Sequence, residues 1–199
     1  MSTHRTLDAG AEASLVERCK KQDVEAFGRL VDAYQNRVFG FVKRMVSNAE
    51  EAADITQEVF IKAFTNFPRF DGRSALRTWL FRIAYHLCVD RSRKAGRSPQ
   101  EMPLIHSGEG EVIDVEDSRW HPEQMILDDE LYGLLEEAIA TMSEKLRSVL
   151  ILHDREDMSY DEIAETLNVP VGTVKSRLFL ARGHLQAALG GYLNGGGRK

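Results

Sequence analysis

Two short stretches hold most of the side chains that could do chemistry, and both suit a grip on a polyanion. Residues 69–97 contain eight Lys or Arg against two acidic residues, with Trp79, Tyr85 and His86 interleaved among Arg77, Arg82, Arg91 and Arg93. Guanidinium groups hold phosphates, and aromatic faces stack on unpaired bases. The second stretch carries Thr173, Lys175, Ser176, Arg177, Phe179 and Arg182, and residues 172–199 hold five basic and no acidic residues. Lysine and serine can reach base edges, and a phenylalanine can pack on a thymine methyl.

Groups suited to catalysis are scattered by comparison. His4, His86, His106, His121, His153 and His184 fall at no metal-ligand spacing, and there is no glycine-rich phosphate loop or nucleophile motif. Cys19 and Cys88 stand far apart and read as reduced packing residues. No metal, cofactor or small-molecule substrate is therefore expected, and the chain is not expected to be an enzyme.

A net charge of -5 over 199 residues hides this pattern, because residues 101–137 carry twelve acidic residues and one basic residue, Arg119. Two basic blocks thus flank an acidic one. With 43% hydrophobic and 29% charged residues the chain falls in the globular range, which excludes wholesale disorder. Its longest apolar runs are far too short for a membrane span, and residues 1–10 lack the apolar core of a signal peptide. The expected location is the cytoplasm, without membrane insertion.

The elements that must position these residues are helices throughout. Leu15, Val16 and Cys19 mark a first helical region, and Asp23 is placed to cap a second helix through Phe27, Leu30, Val31, Tyr34, Val38, Phe41, Val42 and Met45. After the break at Ser47-Asn48, Ile55, Val59, Ala63, Phe64 and Phe67 share one face of a third helix that Pro68 stops. Its other face carries Asp54, Gln57, Glu58, Ile61 and Lys62. Beyond the 70–73 loop, Ser74 is expected to cap a helix that keeps Leu76, Leu80, Ile83, Ala84 and Leu87 inward. Residues 97–122 contain Pro99, Pro103, Gly108 and Gly110 without periodicity, which predicts a flexible acidic linker between domains at 1–96 and 123–190, with a disordered tail at 191–199. Residues 125–140 read as helical, as do Leu146, Val149, Leu150 and His153 by their i, i+3, i+4, i+7 spacing.

A helix-turn-helix closes the second domain. Ser159-Tyr160-Asp161-Glu162 has the form of a capping box, Asn168 tolerates a left-handed turn, and Pro170 favours a new helix start. Val171, Val174, Leu178, Ala181 and Leu185 make an apolar stripe on that last helix. Projection at the helical period puts Gly172, Thr173, Ser176, Phe179, Leu180 and Gly183 opposite it, flanked by Lys175, Arg177 and Arg182. Such a face fits a DNA major groove.

The sequence SYDEIAETLNVPVGTVKSRLFLARGHL at 159–185 resembles the promoter-reading region of the extracytoplasmic-function (ECF) group of bacterial sigma-70 factors. DITQEVFIKAF at 54–64 resembles the family's polymerase-docking region, and RTWLFRIAYHLCVDRSRK at 77–94 looks like its region for the minus-ten element. The resemblance implies that core RNA polymerase clamp helices bind Asp54, Gln57, Glu58, Ile61 and Lys62. It implies that Phe70, Arg73, Ala75, Arg77, Trp79, Arg82 and His86 hold a flipped base and strand of the minus-ten element. It implies that Thr173, Lys175, Ser176, Arg177, Phe179 and Arg182 read the minus-thirty-five element, and that an anti-sigma factor covers these surfaces. His86 replaces a frequent asparagine of the family, and Leu180 a frequent arginine.

The alternative from a different class is a helix-turn-helix regulator that works without polymerase. It would need a dimerisation element and a sensor domain, and the sequence shows neither.

Overall fold

The computed structural model describes residues 9–46, 48–96 and 129–193, all helical or in short connections, with no strand among them. The chain divides into two compact units, Met1–Gly96 and Arg97–Lys199. The linker expected at 97–122 lies outside the described residues.

In the first unit, α1 (Ala9–Lys20) turns into α2 (Val24–Val46) at Asp23. The Asp23 carboxylate accepts from the Ala26 backbone N–H at 3.0 Å, satisfying a donor that the first helical turn leaves open, and from Arg18 Nε at 2.8 Å. Ala26, Leu30, Tyr34, Val38, Phe41, Val42 and Met45 recur every three or four residues on α2, and all are buried. Tyr34 donates its hydroxyl to Glu12 of α1 at 2.9 Å, so burial and the neighbouring carboxylate push its phenol well above the ordinary range.

Asn48 caps α3 (Ala49–Asn66) by accepting from the Glu51 N–H at 2.9 Å. Pro68 does stop that helix, and the chain tightens into a single 3-10 turn, Phe67–Arg69, with Phe67 fully buried. Helix α4 spans Leu76–Lys94, and its N-cap position is Ala75 with no side-chain cap. The capping role expected for Ser74 is thus not realised: the N-cap position falls to Ala75, whose methyl side chain has no acceptor to offer, and Ser74 stands one residue before it. Phe41 and Phe81 meet edge to face at 5.4 Å, packing α4 on α2.

The second unit comprises α5 (Asp129–Thr141), α6 (Glu144–Asp154), α7 (Tyr160–Leu167) and α8 (Val171–Leu193). Of the helix expected at 125–140, residues 125–128 lie outside the described residues; α8 runs to Leu193, so 191–193 are helical rather than part of the expected disordered tail, whose residues 194–199 lie outside the described residues. Arg147 donates to the carbonyls of Ala140 (2.6 Å) and Met142 (2.7 Å), so a cation closes the C-terminal end of α5 where the helix dipole favours it. Val149, Leu150, Ile151 and Leu152 are all buried, which is why that run resists a simple one-sided reading. Each such side chain stabilises by about 1.5–3 kcal/mol relative to exposure.

Candidate nucleic-acid interface

The capping box that starts α7 is complete. Ser159 Oγ accepts from the Glu162 N–H at 3.3 Å, and Glu162 returns the contact by accepting from the Ser159 N–H at 2.9 Å. At the other end Asn168 adopts φ 54 and ψ 54, and the Val169 N–H bonds back to Ala164 O at 3.0 Å. That left-handed residue reverses the chain within two positions and delivers Pro170, whose carbonyl accepts the first bonds of α8. Pro170 therefore occupies the position just before the helix rather than its first turn.

Val174, Leu178, Ala181, Leu185 and additionally Leu189 are buried along α8, with Val171 half-buried at its start. The opposite face is left bare: Lys175 and Ser176 are exposed, Phe179 retains 52% of its surface and Leu180 45%. Phe179 and Leu180 thus stand as adjacent exposed apolar side chains on an otherwise polar helix face. Thr173 and Arg177 are half-buried at the margin. Ser176 donates to Thr173 O at 3.1 Å and keeps its acceptor lone pairs for an outside partner.

Arg182 departs from the flanking phosphate contact expected of it. Its side chain is only 15% exposed and lies 3.6 Å from Asp154 of α6, with Nε and Nη2 shielded from solvent. Spacing along α8 places Arg182 beside Lys175 two turns on; the tertiary packing turns its guanidinium inward.

A second surface lies on the first unit. Arg73 projects from the loop with 89% of its side chain exposed, its backbone N–H bonded to Asp71 Oδ1 at 3.0 Å and its Nε 3.2 Å from Asp71 Oδ2. Ala75 and His86 are exposed, Arg77 and Arg82 are half-buried, and the Tyr85 and His86 rings sit 5.8 Å apart. Phe70 is different. It is buried, 5.0 Å from the Trp79 ring and 5.7 Å from Phe67, while Phe67 and Trp79 meet at 5.3 Å. These three rings form one cluster beneath the loop, in which Phe70 is buried and Trp79 half-buried.

The third surface is the outer face of α3. Asp54 and Gln57 are exposed, Ile61 retains 59% of its surface, and Glu58 lies 3.3 Å from Lys62. Glu58 also reaches Arg91 of α4 at 3.6 Å, a link 33 positions apart that no helical spacing discloses. Sequence reasoning likewise missed the surroundings of Lys175, whose ammonium lies 5.9 Å from the centre of the Tyr160 ring. The tyrosine was visible only as a passenger in the capping box.

Residues 30–98 match Sigma-70 region 2, and residues 132–185 match Sigma-70, region 4. The RNA polymerase sigma-H factor of Pseudomonas aeruginosa is 37% identical over 184 residues, covering 89% of this chain and 93% of that protein. The ECF RNA polymerase sigma factor SigW of Bacillus subtilis is 35% identical over 176 residues, covering 87% and 94% respectively. The chain belongs to the ECF group of the sigma-70 family. Among solved structures it is similar to the sigma factor RpoE in complex with the anti-sigma factor NepR from Bartonella quintana, with a TM-score of 0.63, 25% identity and coverage of 82% of this chain and 96% of that one.

As an ECF sigma factor the chain binds RNA polymerase and recognises promoter DNA, and its relatives are initiation factors rather than catalysts. The region 2 match contains the α3 and α4 surfaces, and the region 4 match contains the capped turn and the bare face of α8. No helix among the described residues is long and apolar enough to cross a membrane.

Proposed function

We propose that the three surfaces divide promoter engagement between them. The α3 face, Asp54, Gln57, Glu58, Ile61 and Lys62, docks on the clamp helices of core polymerase, combining one exposed apolar anchor with a polar surround. Arg73, Arg77, Arg82 and His86, around Ala75 and above the Phe67-Phe70-Trp79 floor, hold the opened minus-ten element by phosphate contacts and by capture of a flipped base. Thr173, Lys175, Ser176, Arg177 and Phe179 read the minus-thirty-five element in the major groove. The acidic residues of 97–122 run along the basic RNA-exit path of the polymerase, by charge complementarity.

The observation that carries this reading is the bare α8 face: an exposed phenylalanine beside lysine and serine, directly opposite a buried stripe, on the second helix of a helix-turn-helix whose first helix is capped at both ends. The factor acts in the cytoplasm and performs no catalysis of its own. By analogy with the RpoE–NepR complex, an anti-sigma factor restrains it by covering exposed apolar surface. The decisive test is Asp54→Lys combined with Gln57→Ala. Core polymerase binding, measured by co-purification, is expected to fall at least tenfold with the circular dichroism spectrum unchanged; undiminished binding would refute the docking assignment.

A further inference from the structure

Lys175 poses a physical problem for sequence readout. Its ammonium rides on a flexible four-carbon stem, and fixing such a side chain at one base edge costs rotamer entropy unless something fixes it beforehand. The structure supplies that support from outside α8. Lys175 Nζ lies 5.9 Å from the centre of the Tyr160 ring, within the range of a cation–π contact. The Tyr160 ring in turn stacks on His153 at 5.4 Å between centroids and 25° between planes. His153 Nδ1 is 2.5 Å from Asp154 Oδ1, and the same Asp154 oxygen is 3.6 Å from Arg182. The contacts therefore run from the C-terminal turn of α6 through the first residue of α7 to two positions of α8 seven residues apart.

Nothing in the capping box requires an aromatic residue at its second position, since Ser159 and Glu162 make both capping bonds. We propose that Tyr160 is a specificity-determining positioning residue, whose ring holds the Lys175 ammonium at the groove-facing edge of α8 before DNA arrives. His153 keeps the ring in place, and the Asp154–Arg182 pair ties the imidazole's partner to the same helix the ring serves. Pre-ordering lowers the cost of each Lys175–base contact and, because the ammonium is held at one place, penalises sites whose acceptor lies elsewhere. The proposal rests on the reading of Lys175 as a contact with the upstream element.

The test uses full-length chain assembled with core polymerase and run-off transcription over a promoter library randomised in the upstream element. Four variants are compared with the native factor: Lys175→Ala, Tyr160→Leu, Tyr160→Phe, and Tyr160→Leu with Lys175→Ala. Lys175→Ala identifies the base pair that the lysine reads. Tyr160→Leu is expected to reduce discrimination at that same base pair about two- to fivefold, the worth of an exposed cation–π contact, whereas Tyr160→Phe retains it. In the double variant the tyrosine change is expected to add nothing. In the free protein, NMR signals of the Lys175 ε-methylene are expected upfield and to relax to ordinary values in Tyr160→Leu alone.

Loss in Tyr160→Phe equal to that in Tyr160→Leu would overturn the proposal in favour of a hydroxyl contact with DNA. Additive effects in the double variant, an even loss across the whole library, or absence of the ring shift would overturn it too. If Lys175→Ala changes no discrimination, the reading of Lys175 itself fails and the proposal falls with it, an outcome distinct from the others.

Discussion

The α4 surface and the α8 surface both face DNA in our reading, yet they are built on opposite plans. Around α4 the cations are numerous: basic residues in 69–97 exceed acidic ones by six, and Phe67, Phe70 and Trp79 cluster with Phe67 and Phe70 buried. On α8 the cations are few, one of three is turned into the unit toward Asp154, and an aromatic side chain, Phe179, stands outward instead. A dense positive field grips any phosphate backbone and gains from counterion release, so it suits a strand whose bases have left the duplex. A sparse, ordered face contributes little to nonspecific affinity and discriminates by contact geometry. In the proposed function, affinity resides mainly in the first unit and sequence readout mainly in the second.

The strongest way to break the comparison is to remove the floor of the α4 site. Phe67 is fully buried and touches Phe27, Phe70 and Trp79, so Phe67→Ala is expected to destabilise the first unit by about 3–5 kcal/mol. Urea unfolding followed by circular dichroism should then separate into two transitions, with only the earlier one displaced. A shift of both together would show that the units do not unfold independently. A smaller effect comes from charge: replacing Arg77 and Arg82 with alanine is expected to reduce the slope of log affinity against log salt for single-stranded minus-ten DNA by about 0.7 per contact. Lys175→Ala tested on duplex upstream DNA should change preference between sequences more than it changes the slope. An equal change of slope in the arginine and lysine variants would erase the distinction drawn here.

How much of this was legible follows from where each signal resides. The capping box, the left-handed Asn168 and the α8 stripe are local, encoded within a few residues of one another, and all three appear as read. Helix α4 was harder, because Leu76, Thr78, Leu80, Phe81, Ala84, Leu87, Cys88 and Val89 are buried around much of its circumference and leave no narrow stripe. Its cap accordingly falls at Ala75, one residue beyond the expected Ser74, and Phe70, which the resemblance implies as a minus-ten contact, is held inside by two rings. The ion pairs of Arg182 and Glu58 are invisible in the sequence for another reason. Their partners, Asp154 and Arg91, are 28 and 33 positions away, and an ion pair across helices has no period to betray it.

Gly172 sharpens the comparison by a modest amount. A Cβ added there meets no atom within 4 Å, so nothing inside the protein requires glycine at the first turn of α8. Gly172→Ala is expected to stabilise the second unit by about 0.5–1 kcal/mol, since glycine is a poor helix former. If the face lies against DNA, the same change should lower transcription from the native promoter while raising the unfolding midpoint. A variant that gains stability and keeps full activity would leave Gly172 outside the groove.

The smallest effect concerns acid stability at the α1–α2 junction, a feature of the first unit alone. The Arg18 guanidinium, first, and the Ala26 backbone N–H, second, hold the Asp23 carboxyl below the usual carboxylate range. A carboxyl whose pKa is depressed by folding favours the folded state when it is ionised. Its contribution is complete at pH values above the ordinary aspartate range and disappears as pH falls through the depressed folded value. Asp23→Ala is therefore expected to lower the urea midpoint of the first transition by a constant amount between pH 7 and about pH 5, and the gap should close as the pH drops below about 4. Glu17, lowered by Lys20, titrates in both proteins and cancels from the difference. A gap that widens in acid would reverse the sign of the linkage and remove Asp23 as the junction's charged cap.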